Sequence, residues 1–99
     1  MFFFEKWYND TTESNRKRIR VLIEEKRLEF VGGGYVQHDE ALSDLDNVIL
    51  QIDSGHRFFT ENKFKKPTVA WQIGPFGHSS ITPSIFRQFG YDYLVINRV

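Results

Sequence analysis

Three short blocks hold the residues whose types and spacing could do chemistry. His38, Asp39 and Glu40 follow one another, His56 stands beside Arg57, and the stretch VAWQIGPFGHSS from Val69 to Ser80 ends in His78, Ser79 and Ser80. An imidazole next to two carboxylates could ligate a divalent cation or pass a proton. In isolation the triplet reads more simply as a solvated loop. A histidine followed by two serines could serve acyl transfer, yet no Gly-x-Ser-x-Gly elbow surrounds either serine, so helix capping is their expected role. His56 falls inside a helical pattern and is read as a packed or surface histidine, and the strand-end Arg98 could equally be a surface charge. Gly32, Gly33 and Gly34 lack both the G-x-G-x-x-G spacing and the phosphate-loop lysine, so they form no phosphate cradle.

The elements that must position these blocks follow from hydrophobic periodicity. Ile19, Leu22 and Ile23 lie at helical spacing in the charged segment from Thr11 to Lys26, which predicts a helix resting on a core by a narrow stripe. Leu28 to Val31 is a short, partly alternating run closed by the three glycines and is expected to be a strand. Leu45, Val48, Ile49, Ile52 and Phe59 predict a second helix from about Ser43 to Asn62. Beyond Pro67, Thr68 to Ile73 reads as a strand buried on both faces. Thr82 is placed as an N-cap with Pro83 at the first helical position, and Gly90 as the residue just past that helix. Asp92 to Ile96 closes the series as another strand. Alternation of helix and strand argues a parallel α/β sheet with its functional groups at the C-terminal strand ends. Three parallel strands with two open edges are expected to be an arc of something larger.

Composition narrows the partners. The chain has 99 residues, 13 basic and 13 acidic, with the two signs interspersed. No basic face invites nucleic acid or anionic lipid, so neither is expected as a partner. The absence of cysteine excludes a disulfide framework and a thiolate metal site. The opening MFFFEKWY has only a short apolar run and a charge by Glu5, unlike a signal peptide or a membrane span. Aromatic residues make up 16% of the chain, a large apolar surface that has to be buried somewhere.

Taken together, FFFEKWY, RLEFVGGGYVQHDEA, QIDSGHRF and WQIGPFGHS, followed by the strand ending in INR, resemble the catalytic domain of the α-mannosidases of glycoside hydrolase family 38, the lysosomal, vacuolar and Golgi type. The resemblance covers Met1 to Val99. It implies parallel β/α units forming an arc of a seven-stranded (β/α) barrel-like glycosidase domain, with no second domain in this chain. It further implies a retaining, zinc-dependent hydrolase acting on terminal α-mannosyl residues of N-glycans or oligosaccharides, through a carboxylate nucleophile and a second carboxyl as acid and base. The nucleophile and zinc ligand of the family is the Asp of Ile-Asp-Pro-Phe-Gly-His-Ser, and Gly74 stands at that place here. The family's upstream His-x-Asp zinc pair, its general acid and a further zinc histidine have no counterparts in this sequence. By the same resemblance Phe76 matches the active-site aromatic and Arg98 the strand-end arginine, both as substrate-binding residues. Asp39 and Glu40 match a supporting acidic pair, and His78 a supporting histidine with a hydrogen-bonding role. Tyr35, Gln37 and His38 replace the usual Trp, Met and Asn.

The expectation that follows is a catalytically silent chain. A glycine can neither attack an anomeric carbon nor ligate zinc, so no catalytic residue and no metal site is intact and zinc is not bound. The resemblance implies mannose-containing glycans as partners and a lysosomal, vacuolar or Golgi setting, with no targeting signal within these residues. The alternative reading is a non-catalytic remnant or glycan-binding pseudoenzyme that keeps Phe76 and Arg98. A metal-dependent polysaccharide deacetylase ranks behind both, since its motifs are not seen. The N-terminus reads as cut, and with sheet edges and aromatic faces uncovered the chain is expected to need the rest of its catalytic domain to fold.

Overall fold

The computed structural model describes residues 1–97. Four helices and two strands follow in the order α1 (Phe2–Asp10), α2 (Glu13–Glu24), α3 (Leu45–Glu61), β1 (Val69–Gln72), α4 (Thr82–Gln88) and β2 (Tyr93–Ile96). The strands pair in parallel, with Val69 opposite Tyr93 and Gln72 opposite Ile96, so α4 is the crossover between them.

The helices start and stop for local reasons. Thr12 caps α2 by accepting from the Asn15 N–H, and Asp44 caps α3 by accepting from the Asn47 N–H. The expected stripe of α2, Ile19, Leu22 and Ile23, is only half-buried. The α3 stripe is the principal one, burying Val48, Ile52, Gly55, His56, Phe58 and Phe59. Gly90 follows α4 with φ of +91°, the left-handed conformation that glycine adopts at no steric cost.

Several expectations are corrected. Residues 28–31 form no strand. The chain there makes one backbone bond to β1, from the Gly32 N–H to the Val69 carbonyl at 2.8 Å. Gly32 and Gly33 then take φ of +69° and +77°, which turns the backbone away before a ladder can form. Phe2–Asp10 is a helix that periodicity did not reveal, because apolar residues crowd both faces of so short a segment. Thr82 is not an N-cap: it is the first residue of α4, Ile81 holds the cap position, and no side chain caps that helix, so neither Ser79 nor Ser80 does so. The expected strand is not buried on both faces, since Trp71 in β1 and Ile73 just past it remain 37% and 36% exposed while Ala70 and Gln72 are buried.

Two groups of side chains make the interior. Val48 and Ile52 of α3 pack with Ala70 of β1, Ile85 and Phe86 of α4, and Tyr91, flanked by Phe89 and Leu94. Beside them Phe4, Tyr8, Phe30, Phe58, Phe59 and Phe64 meet mostly edge to face, the arrangement favoured by ring quadrupoles. This second group accounts for much of the aromatic content.

Buried polar atoms tie the glycine run to both groups. The Tyr91 hydroxyl donates to the Gly32 carbonyl and accepts from His56 Nε2 at 2.8 Å, which fixes the His56 tautomer with its proton on Nε2. Burial pushes the Tyr91 phenol up to about 12. Burial first, and then Lys66, hold the His56 imidazole below the ordinary histidine value, so this histidine is a neutral structural donor. The Tyr35 N–H meanwhile donates to the Gln51 carbonyl in the middle of α3 at 2.9 Å. That approach requires Gly55, because a Cβ there would lie 2.1 Å from the Gly33 carbonyl oxygen.

Candidate functional site at the strand ends

The C-terminal end of β1 is covered by the segment that leaves the glycine run. Gln37 lies over Ile73 and Gly74: with its amide oriented to satisfy both neighbours, its oxygen accepts from the Ile73 N–H at 3.3 Å and the Gly74 N–H at 3.0 Å. One residue on, His38 is buried, and its Nδ1 accepts from Gln51 Nε2 at 2.9 Å. Gln51 is oriented by the Val36 N–H, which donates to its Oε1 at 3.2 Å. The Gln72 amide, 2% exposed at the last position of β1, reaches the His38 carbonyl at 3.4 Å. Burial holds the His38 imidazole below its ordinary value, although the charges of Glu40 and Asp39 oppose that shift.

Glu40 and His78 make the other half of the site. The Glu40 side chain is only 1% exposed, and its Oε2 lies 2.7 Å from His78 Nδ1. Its Oε1 accepts from the Ser79 N–H at 3.1 Å. Burial drives this carboxyl upward, but hydrogen bonds from the Thr82 hydroxyl, the Ser79 N–H and His78 outweigh it and leave the group below the ordinary carboxylate range. His78 Nε2 lies 2.8 Å from the Asn97 carbonyl oxygen, just past β2.

The structure therefore places Gly74 just past β1 and the Glu40–His78 pair just past β2, both at the C-terminal end of the parallel strands. Asp39 turns away to hold its own loop, accepting from the Ala41 N–H at 2.8 Å and the Leu42 N–H at 3.2 Å. Phe76, 82% exposed, projects from the same strand-end segment. Arg98 lies outside the described residues. Sequence reasoning passed over Gln51 and Gln72, named Gln37 only as a replacement for the usual Met, and placed Thr82 only as an N-cap. Gln72 carried a usable signal, a lone amide in an otherwise apolar strand, whereas Gln51 and Thr82 act through contacts distant in sequence.

Whether these residues could hold a zinc ion is a matter of their donors. His38 Nδ1 is occupied by Gln51, His56 is spent on Tyr91, both nitrogens of His78 face protein oxygens, and Gly74 offers no side chain. Among the described residues no three His, Asp or Glu side chains gather where a cation could sit. The histidine nitrogens named here are thus engaged within the protein, which leaves no ready-made tetrahedral donor set among the described residues.

Comparison with known proteins agrees with the strand-end motifs. The model of the glycosyl hydrolases family 38 N-terminal domain matches residues 1–99. Alpha-mannosidase D of Dictyostelium discoideum is 46% identical over 97 residues, covering 98% of this chain and 8% of the relative. Alpha-mannosidase C of the same organism is 43% identical over 99 residues, covering 100% of this chain and 9% of the relative. The epididymis-specific alpha-mannosidase of Sus scrofa is 40% identical over 98 residues, covering 98% of this chain and 10% of the relative. The chain thus spans about a tenth of the length of the curated relatives it matches. With the family model matched from the first residue to the last, the chain belongs to glycosyl hydrolase family 38, within the N-terminal domain of that family.

Proposed function

We propose that this chain forms part of the mannoside-facing side of a family 38 α-mannosidase domain but supplies no nucleophile, so that it holds substrate without cleaving it. One observation carries the reading: at the C-terminal end of β1, where the family resemblance implies the attacking carboxylate, Gly74 presents only backbone and the Gln37 amide bonds to its N–H. Retaining hydrolysis requires a carboxylate that attacks the anomeric carbon, and removing it abolishes the two-step route. Phe76 offers an apolar ring face beside that position, suited to the C–H face of a sugar.

The same reading includes the rest of the fold. The two parallel strands with their α4 crossover are one arc of the seven-stranded barrel-like domain. Support comes from the side chains left on the outside: Phe3, Leu42 and Tyr93 are 83%, 87% and 70% exposed, a surface that further elements of the domain would cover. None of the described helices is long and apolar enough to cross a membrane. Family membership brings an endomembrane setting with it, as in the relative named lysosomal alpha-mannosidase.

The test is direct. The native transcript is sequenced through codon 74 and both flanks, and the purified protein is assayed with an aryl α-mannoside and, by calorimetry, with a non-hydrolysable mannoside. Saturable binding without turnover and a glycine codon support the proposal. An aspartate codon or measurable hydrolysis overturns it, and failure to bind any mannoside reduces the chain to a remnant.

A further inference from the structure

Two buried histidines tie the same stretch of chain, residues 32–38, to α3, one at each end of it. At the far end His38 is 8% exposed, and its Nδ1 lies 2.9 Å from the Gln51 amide nitrogen. The Gln51 oxygen already accepts from the Val36 N–H at 3.2 Å, so its NH2 group is the one that faces the imidazole. His38 Nδ1 is therefore an acceptor, and the ring proton sits on Nε2, 3.4 Å from the side-chain amide of Gln72 in β1. At the near end His56 is 3% exposed and donates from Nε2 to the Tyr91 hydroxyl at 2.8 Å, which donates on to the Gly32 carbonyl.

A second proton is unwelcome on either ring. At His38 it would set an N–H against the N–H of Gln51 and turn a bond into a repulsion. At His56 the bonding partner is a neutral phenol and the ring lies against Phe59 and Phe89, so the charge would be buried in an apolar setting. The surroundings of His38 are the neutral amides of Gln51 from α3 and Gln72 from β1 and the Phe86 ring from α4, with Glu40 and Asp39 in its own segment. Both carboxylates are engaged elsewhere, Glu40 with His78 and the Ser79 N–H, Asp39 with the Ala41 and Leu42 N–H groups. His56 is faced by the Lys66 charge, which opposes a second cation, and by Asp53, which favours one less strongly.

We propose that His38 and His56 form an acid-sensitive clasp: while both rings are neutral they hold residues 32–38 against α3, and protonation of either ring weakens that hold. The clasp is one attachment among several. The Gly32 N–H donates to the Val69 carbonyl, the Tyr35 N–H to the Gln51 carbonyl, the Phe2 N–H to the Tyr35 carbonyl, and the Met1 ammonium to the Gly34 and Tyr35 carbonyls. Those bonds keep their form in acid, so acidification loosens the docking of the segment and assigns no new position to any side chain. The clasp rests on the fold and stands whether or not the chain holds a mannoside.

The signs place the loss in mild acid. Burial holds both histidines below the ordinary value of about 6.5. An opened chain takes up protons from about that pH downward while the docked form resists them, so stability present above it is lost as pH falls toward the lowered values. The other two shifted groups of the site do not mask this. The Asn97 carbonyl first, and then Glu40, raise His78, whose contribution is therefore complete below about 6.5. Glu40 is held below its ordinary value, so its contribution is complete above roughly 4.3. The segment that carries Gln37 to the end of β1 is thus held most firmly near neutral pH. Within the endomembrane setting proposed above, the less acidic compartments suit this chain, a consequence that alone rests on the family reading.

The experiment joins a long-range proton–nitrogen correlation spectrum to amide hydrogen exchange, both followed on the purified protein from about pH 7.5 down to about 5. His38 and His56 are each expected to show a single proton on Nε2 at the ordinary histidine midpoint and to titrate only below it. Protection of the Gly32 and Tyr35 amides, corrected for the intrinsic effect of pH, is expected to fall below that midpoint by up to about tenfold per pH unit for each histidine. His38→Gln is expected to make the fall shallower and leave the share due to His56, and the wild-type spectra and exchange alone decide the matter if H38Q does not fold. An imidazolium pattern on either ring at the ordinary midpoint, a titration at or above it, or protection that stays flat while the rings take up protons would each overturn the proposal. A fall as steep in H38Q as in the parent removes His38 from the clasp and overturns it equally.

Discussion

Gly74 and Gln37 are matched across the end of β1: a Cβ built on Gly74 would lie 3.2 Å from the tip of the Gln37 amide, and its three nearest neighbouring atoms all belong to that side chain. Gly74 is not among the glycines with positive φ, so its backbone accepts an L side chain. A flexible amide can yield a few tenths of an ångström. Gly74→Asp is therefore expected to change stability by less than about 1 kcal/mol, within the range of surface substitutions and mild repacking. Thermal melts of both proteins check this. A loss of several degrees would mean that Gln37 cannot move and that the glycine is required by the fold.

The Tyr91 hydroxyl is a buried two-way junction, and its removal strands both neighbours. Tyr91→Phe leaves the Gly32 carbonyl and the His56 Nε2–H without partners in an apolar setting. The expected cost is about 1–3 kcal/mol, the penalty for a buried unsatisfied group. Urea unfolding with an unchanged slope measures it. A variant as stable as the parent would show that water or a rearranged loop replaces the hydroxyl.

Gly55 sets how closely the glycine-run loop approaches α3. An alanine Cβ would meet the Gly33 carbonyl oxygen at 2.1 Å and the Gly34 carbonyl carbon at 2.5 Å, both backbone atoms with no rotamer to change. Alanine is otherwise the better helix former by about 1 kcal/mol. The overlap should win, giving a net loss of at least about 1–3 kcal/mol for Gly55→Ala. Differential scanning calorimetry of G55A decides between the two effects, since a rise in Tm would mean that propensity prevails.

Chelation should leave the chain unmoved. All three histidines are engaged by protein atoms, so dialysis against a strong chelator is expected to shift Tm by nothing measurable, where a metal at a hundredfold excess over its Kd would contribute about 2.7 kcal/mol. A chelator-induced drop restored by zinc would contradict the donor assignments made above.

How much of this was legible in sequence follows from the range of the interactions. The α3 stripe was readable because Val48, Ile52 and Phe59 repeat at the period of the element itself, and Gly90 because it ends a helix locally. Residues 28–31 misled because alternation describes a strand's side chains but not whether a neighbour completes its ladder. The α1 helix was hidden because Phe2, Phe3 and Phe4 run consecutively in a segment of only nine residues, although Phe2 and Phe4 pack against Tyr35, Phe30 and Phe58. At the site, motif blocks pointed to Gly74, Phe76 and His78, but neither the Gln37 cover nor the Glu40 to His78 pair has a local signature, the latter joining residues 38 positions apart.

The bond from the Tyr35 N–H to the Gln51 carbonyl gives the glycine-run loop an unusual dynamic character. That carbonyl belongs to the interior of a 17-residue helix, so the loop amide is docked on a rigid acceptor rather than on another loop. Local fraying normally lets loop amides exchange with solvent independently of the helices they touch. Here the Tyr35 and Gly32 amides should instead exchange at the slow rate set by joint opening of α3 and β1, which makes this glycine-rich segment part of the same cooperative unit as the core.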